Sequence, residues 1–132
     1  MDRLAQRLAD ATRVVATLHE IVAEPPSVIV RDAAIKRFEY TFEAVWKAAR
    51  AYRAREGFDV ASPRGTVRTS LKAGLLSAEQ AEQALNMIDD RNLTVHLYRE
   101  AVAEQIAEHI PLHARLLSQW VEALRWRVES GD

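Results

Sequence analysis

The chain has 132 residues, 48% of them hydrophobic and 28% charged, with a formal net charge of −1. That balance predicts one folded domain spanning residues 1–132; it makes disorder no default and does not indicate a globally basic nucleic-acid binder, while leaving room for a local basic patch. Cysteine is absent, which rules out disulfides, thiolate metal sites and a cysteine nucleophile.

The N-terminal stretch MDRLAQRLADATR is amphipathic and charged, without the apolar centre of a signal peptide. No apolar run approaches the ~20 residues that span a bilayer. A cytoplasmic protein with no membrane association is expected.

The periodic pattern predicts helices almost throughout and no strand. From about Asp2 to Ala23, Leu4, Leu8, Ala11, Val15, Leu18 and Val22 recur every three or four residues and form one apolar stripe. Pro25 and Pro26 end that helix, because proline cannot continue it and restricts the residue before it. A second helix is expected from near Val28 to Gly57, with Ile35, Phe38, Phe42, Val45, Trp46 and Ala49 on its buried face. Ser62-Pro63 opens a short third helix as N-cap and first residue, and Gly74 closes it. Ser77-Ala-Glu-Gln80 reads as a capping box for a fourth. The last helix spans about Arg99 to Glu129, and Pro111 within it predicts a kink or two abutting helices. Long helices with short joins give the expected fold class: all-α, an up-and-down bundle of four to five helices.

The join between the fourth and last helices reads DDRNLTVHLY, residues 89–98. Two readings of it stand side by side. In an unbroken helix, five residues turn through about 500°, so Arg91 and His96 would point ~140° apart. Leu93 and Leu97 would then be core, and Asp89, Asp90 and His96 would be solvated. A break at Asn92–Thr94, with Asn92 as C-cap and Thr94 as N-cap, would instead let Arg91 and His96 turn toward one cleft. A histidine there can carry protons near neutral pH, and an arginine beside it can hold phosphate with a permanently charged fork. That pair suits phosphodiester cleavage without metal: histidine moves the proton and arginine stabilises the added negative charge.

The chain resembles the HEPN superfamily, and more closely its nucleotidyltransferase substrate-binding-protein branch. The resemblance is carried by residues 30–57, 62–76 and 89–98, in that order. The signature of that family is Arg, four to six residues, then His, often with a polar residue directly after Arg. Arg91, Asn92 and His96 match it. Toxin members of the branch extend the signature to Arg-x4-His-x-Tyr, matched by Arg91, His96 and Tyr98.

The resemblance implies a dimer of helical bundles and a metal-independent ribonuclease with no cofactor. His96 would transfer the proton, Arg91 would bind the scissile phosphate, and Asn92 would contact substrate. It implies two partners besides a second copy: RNA, and a cognate minimal nucleotidyltransferase antitoxin that adds AMP to Tyr98. The alternative is a non-catalytic subunit that presents a substrate to that nucleotidyltransferase. The chain has no glycine-rich phosphate loop, so it is not expected to be the nucleotidyltransferase itself.

Three further features carry expectations. Residues 47–72 hold seven cations, Lys47, Arg50, Arg53, Arg55, Arg64, Arg68 and Lys72, against Glu56 and Asp59. This segment, with Arg64 and Arg68 as named candidates, can follow an RNA backbone, dock an acidic partner, or be a solvated face balanced by nearby acids such as Asp89 and Asp90. His109 and His113 are four apart, a spacing that can bind zinc. Pro111 lies between them and no third ligand is evident, so no metal site is assigned. Trp120 and Trp126 flank the last apolar stripe, and one of them is a candidate for a subunit interface.

Overall fold

The computed structural model describes residues 2–131. They form five α-helices: α1 (Arg3–Val22), α2 (Val28–Arg55), α3 (Pro63–Lys72), α4 (Ala78–Leu93) and α5 (Glu100–Ser130). A single 3-10 turn, Thr94–His96, lies between α4 and α5. The all-helical bundle agrees with the periodicity.

Each helix start has a chemical reason. Asp2, Ser27, Ser62 and Ser77 cap α1 to α4, each side chain accepting the backbone N–H three residues on. At Ser77 the box is complete: its hydroxyl accepts from the Gln80 N–H, and the Gln80 side chain accepts from the Ser77 N–H. Pro63 occupies the first turn of α3, where its missing donor costs nothing. The stops are equally local. Gly57 and Gly74 take positive φ of 94° and 76° after α2 and α3, a conformation that penalises any side chain.

The apolar stripes face inward as expected. α1 and α2 pack antiparallel, Thr41 donating to the Val14 carbonyl and Arg37 to that of Thr17. Both also pack on α5, while α3 and α4 lean on one another and on α2 and α5 respectively. One hydrophobic cluster draws on all five helices, with Leu18, Phe38, Phe42, Met87, Ile106 and Leu117 at its centre. Trp120 belongs to that core at 0% exposure, so it is no interface residue, whereas Trp126 is 62% exposed.

α5 passes through Pro111 as one helix of 31 residues. The expected alternative of two abutting helices does not form. Proline in a helix interior costs about 3 kcal/mol. Ile110, Ala114, Leu116 and Leu117 are all buried around it, and that packing holds the helix together.

Ser77→Ala removes one half of the capping box and should lower stability by about 1 kcal/mol. Urea denaturation should show a reduced midpoint with an unchanged m-value.

Candidate functional site

The fourth helix stops where the motif begins to change direction. α4 ends at Leu93, and Thr94–His96 wind more tightly as a 3-10 turn. The Thr94 hydroxyl donates back to the Arg91 carbonyl at 2.7 Å. Arg99 is extended, and its N–H closes onto the His96 carbonyl at 3.0 Å before α5 starts. The regular turn of about 100° per residue is therefore lost between Arg91 and His96. The sequence placed this break one or two residues early. Asn92 is still helical, and Thr94 closes α4 from behind rather than opening a new helix.

The motif side chains lie in two groups. His96 and Tyr98 come together at the surface, with the Tyr98 hydroxyl 3.4 Å from His96 Nδ1 and the rings edge to face. Tyr98 is 80% exposed. Arg91 instead reaches α2, where it lies 3.5 Å from one oxygen of Glu43. The other Glu43 oxygen lies 3.5 Å from Lys47. Arg91 Nε is buried with no hydrogen-bond partner, so the pairing leaves part of the guanidinium unsatisfied. Asn92 is exposed beside it.

The basic segment is less available than its composition suggested. Arg64 on α3 pairs with Asp89 on α4 at 2.6 Å. Arg53 is buried, paired with Glu56 at 2.5 Å and stacked 4.0 Å from the Phe58 ring. Arg50 lies over Trp46. Arg68 remains exposed on α3.

One cluster was not legible in the sequence. Asp90 is not solvated: it is 5% exposed, and its Oδ2 sits 2.7 Å from both His109 Nδ1 and His113 Nε2. Asp90, brought to α5 by the packing of α4, thus supplies a third group that could hold an ion with the two histidines. Continuity of α5 through Pro111 keeps both histidines on one face. Burial pushes His113 below the usual histidine range, against the opposing pull of the Asp90 hydrogen bond. The only advance signal was the i, i+4 spacing of the two histidines.

The structure is a five-helix bundle that sets a tyrosine beside the motif histidine at the α4–α5 join. A family model described as nucleotidyltransferase substrate binding protein like matches residues 6–126. The chain belongs to that family. A solved protein from Thermus thermophilus is 51% identical, over 87% of this chain and 98% of its own, with a TM-score of 0.82. The structure of the MntA–HpeT toxin–antitoxin pair matches at 15% identity, over 95% of this chain and 98% of that one, with a TM-score of 0.76. The tri-AMPylated Shewanella oneidensis HEPN toxin in complex with MNT antitoxin matches at 16% identity, over 95% and 98%, with a TM-score of 0.73. At those lower identities the likeness is one of fold. No curated protein matches the sequence. No helix among the described residues is long and apolar enough to cross a membrane.

Thr94→Val keeps the shape of this join but removes one of the two donors, hydroxyl and backbone N–H, that Thr94 gives the Arg91 carbonyl. It should cost about 1 kcal/mol and loosen the turn. Hydrogen exchange at residues 94–98 should rise while the core of α2 stays protected.

Proposed function

We propose that the chain is a HEPN-type ribonuclease toxin, neutralised when a cognate minimal nucleotidyltransferase transfers AMP from ATP to Tyr98. The observation that carries this reading is the exposed Tyr98 hydroxyl 3.4 Å from His96 Nδ1, at the point where α4 gives way to the turn. One histidine then stands next to the nucleophile of the silencing reaction and within the motif of the cleaving one. The similar folds include a HEPN toxin that is tri-AMPylated and bound to an antitoxin, and a toxin–antitoxin pair with AMP-PNP.

For cleavage, the RNA 2′-hydroxyl attacks the neighbouring phosphorus and the bond to the 5′ oxygen breaks. The proton lost by the first oxygen equals the proton gained by the second, and His96 carries it. Arg91 rests on Glu43, apart from the His96–Tyr98 pair, so it must swing toward His96, or come from a second copy, to stabilise the negative charge that builds on the phosphorane oxygens. To do so it exchanges Glu43 for phosphate. At 3.5 Å the Glu43 contact is long for a charge-assisted hydrogen bond, so the exchange sacrifices little. Asn92, Arg64 and Arg68 contribute substrate contacts, with Arg64 leaving Asp89 when RNA arrives.

For silencing, the Tyr98 oxygen attacks the α-phosphorus of ATP held by the partner. A tyrosyl–AMP bond forms, pyrophosphate leaves, and His96 Nδ1 is placed to take the phenolic proton. The added phosphate puts negative charge beside His96, where the RNA backbone would otherwise sit. A homodimer would double the site.

Two experiments test the two halves. Purified, unmodified protein should cleave RNA in EDTA, and His96→Ala should reduce the rate by at least about 10²-fold. A folded parent that cleaves none of several RNAs would instead favour a subunit that presents substrate to the nucleotidyltransferase. Incubation with the partner and ATP should raise the intact mass by one or more AMP units, and Tyr98→Phe should abolish the increase. A modified Tyr98→Phe protein would show that the acceptor lies elsewhere.

A further inference from the structure

The geometry points to a divalent transition-metal site formed by Asp90, His109 and His113, separate from the His96–Tyr98 pair. The three ligand atoms, one oxygen and two imidazole nitrogens, lie within 4.8 Å of one another. They come from two helices, so an ion there would tie the last turn of α4 to the middle of α5. Two histidines and one carboxylate form a borderline donor set that suits zinc, cobalt or nickel better than magnesium or calcium.

The surroundings match an open three-ligand centre. Asp90 and His113 are almost fully buried, whereas the His109 side chain is 46% exposed and leaves a route for the ion and for a bound water. His113 is oriented by stacking on Phe38, with ring centroids 5.2 Å apart and planes 20° apart. Its Nδ1 is buried without a hydrogen-bond partner, so coordination through Nε2 would leave the Nδ1 hydrogen unpaired, a cost the metal bond must offset.

The nitrogens now contact Asp90 Oδ2 directly at 2.7 Å, as hydrogen bonds. Tetrahedral zinc, with bonds of about 2.0–2.1 Å, sets neighbouring ligand atoms about 3.3 Å apart. The two nitrogen–oxygen pairs must open by roughly half an ångström, while the two nitrogens, within 4.8 Å of one another, must come to the same spacing; the exposed His109 ring is free to supply most of that movement. Coordination also requires each ring to carry its hydrogen on the nitrogen away from the ion. The competing account is a purely hydrogen-bonded brace, and the two differ in what an added metal does.

The full chain, stripped with EDTA and returned to chelator-free buffer, is titrated with Co²⁺ and followed by visible absorption. One Co²⁺ per chain should give the d–d bands of four- or five-coordinate cobalt, and Zn²⁺ should bleach them. His109→Ala changes a mostly exposed ring, and its fold can be checked by circular dichroism. It should weaken Co²⁺ binding by more than about tenfold. Asp90→Asn is a near-isosteric second variant with the same expected loss. Absence of the bands up to millimolar Co²⁺, or equal binding by parent and His109→Ala, would overturn the site and leave the brace. The readout is spectroscopic, so it stands whether or not the chain cleaves RNA.

Discussion

A carboxylate inside a helical bundle must be compensated, and the position of Asp90 governs the arrangement around the motif. It is 5% exposed and sits in the last turn of α4, directly before Arg91. Leaving it unpaired in that environment would cost several kcal/mol or force it to take up a proton. His109 and His113 meet the need from α5, and in doing so they set where α4 lies across that helix. The same contact requires both histidines to share a face. It therefore favours α5 continuing through Pro111 despite the lost backbone donor. The turn that carries His96 and Tyr98 is then strung between two helices whose separation is already set.

Arg91 experiences a different balance. Its guanidinium is partly buried and held by Glu43, which also lies near Lys47. One carboxylate near two cations leaves a local positive excess, with Arg91 Nε unsatisfied besides. A phosphate group would compete for the exposed part of the guanidinium, and could reach the buried Nε only after the side chain moves. Arg53 shows the contrast: it is more deeply buried, paired with Glu56 and covered by Phe58. An arginine so enclosed is part of the fold, while one loosely held at a helix end remains available. Composition gives both residues the same weight in the basic segment; burial separates them.

The bundle was largely legible because its signals are local. The Ser62-Pro63 start, the Ser77–Gln80 box and the apolar stripe of Phe38, Phe42, Val45 and Ala49 each need only a few neighbouring residues to be read. Pro111 was harder, since its penalty is local but the packing of Ile110, Ala114 and Leu117 that outweighs it is not. Thr94 showed the same limit at smaller scale. A threonine hydroxyl can cap forward or donate backward, and only the conformation decides. Asp90 was the least legible of all. Beside Asp89 it looks like half of a solvated acidic pair, yet Asp89 pairs with Arg64 outside while Asp90 turns in toward α5. Neighbouring residues on a helix point about 100° apart, so adjacent aspartates can have opposite environments. The tertiary partner, nineteen residues on at His109, has no local trace.

The division of labour between the two faces of this short segment follows from those environments. Buried groups such as Asp90 and His113 are fixed by neighbours on other helices, and changing them disturbs packing. His96 and Tyr98 are exposed, contact mainly each other, and carry little of the stability. A surface pair of this kind can accept a large adduct without unfolding the bundle, because nothing lies above it to be displaced within the chain. A modification at Tyr98 would thus act through charge and access at the site rather than through the fold. Asp90 is held from α5 by His109 and His113, so the turn that follows it starts from a point fixed by packing and not by the exposed side chains.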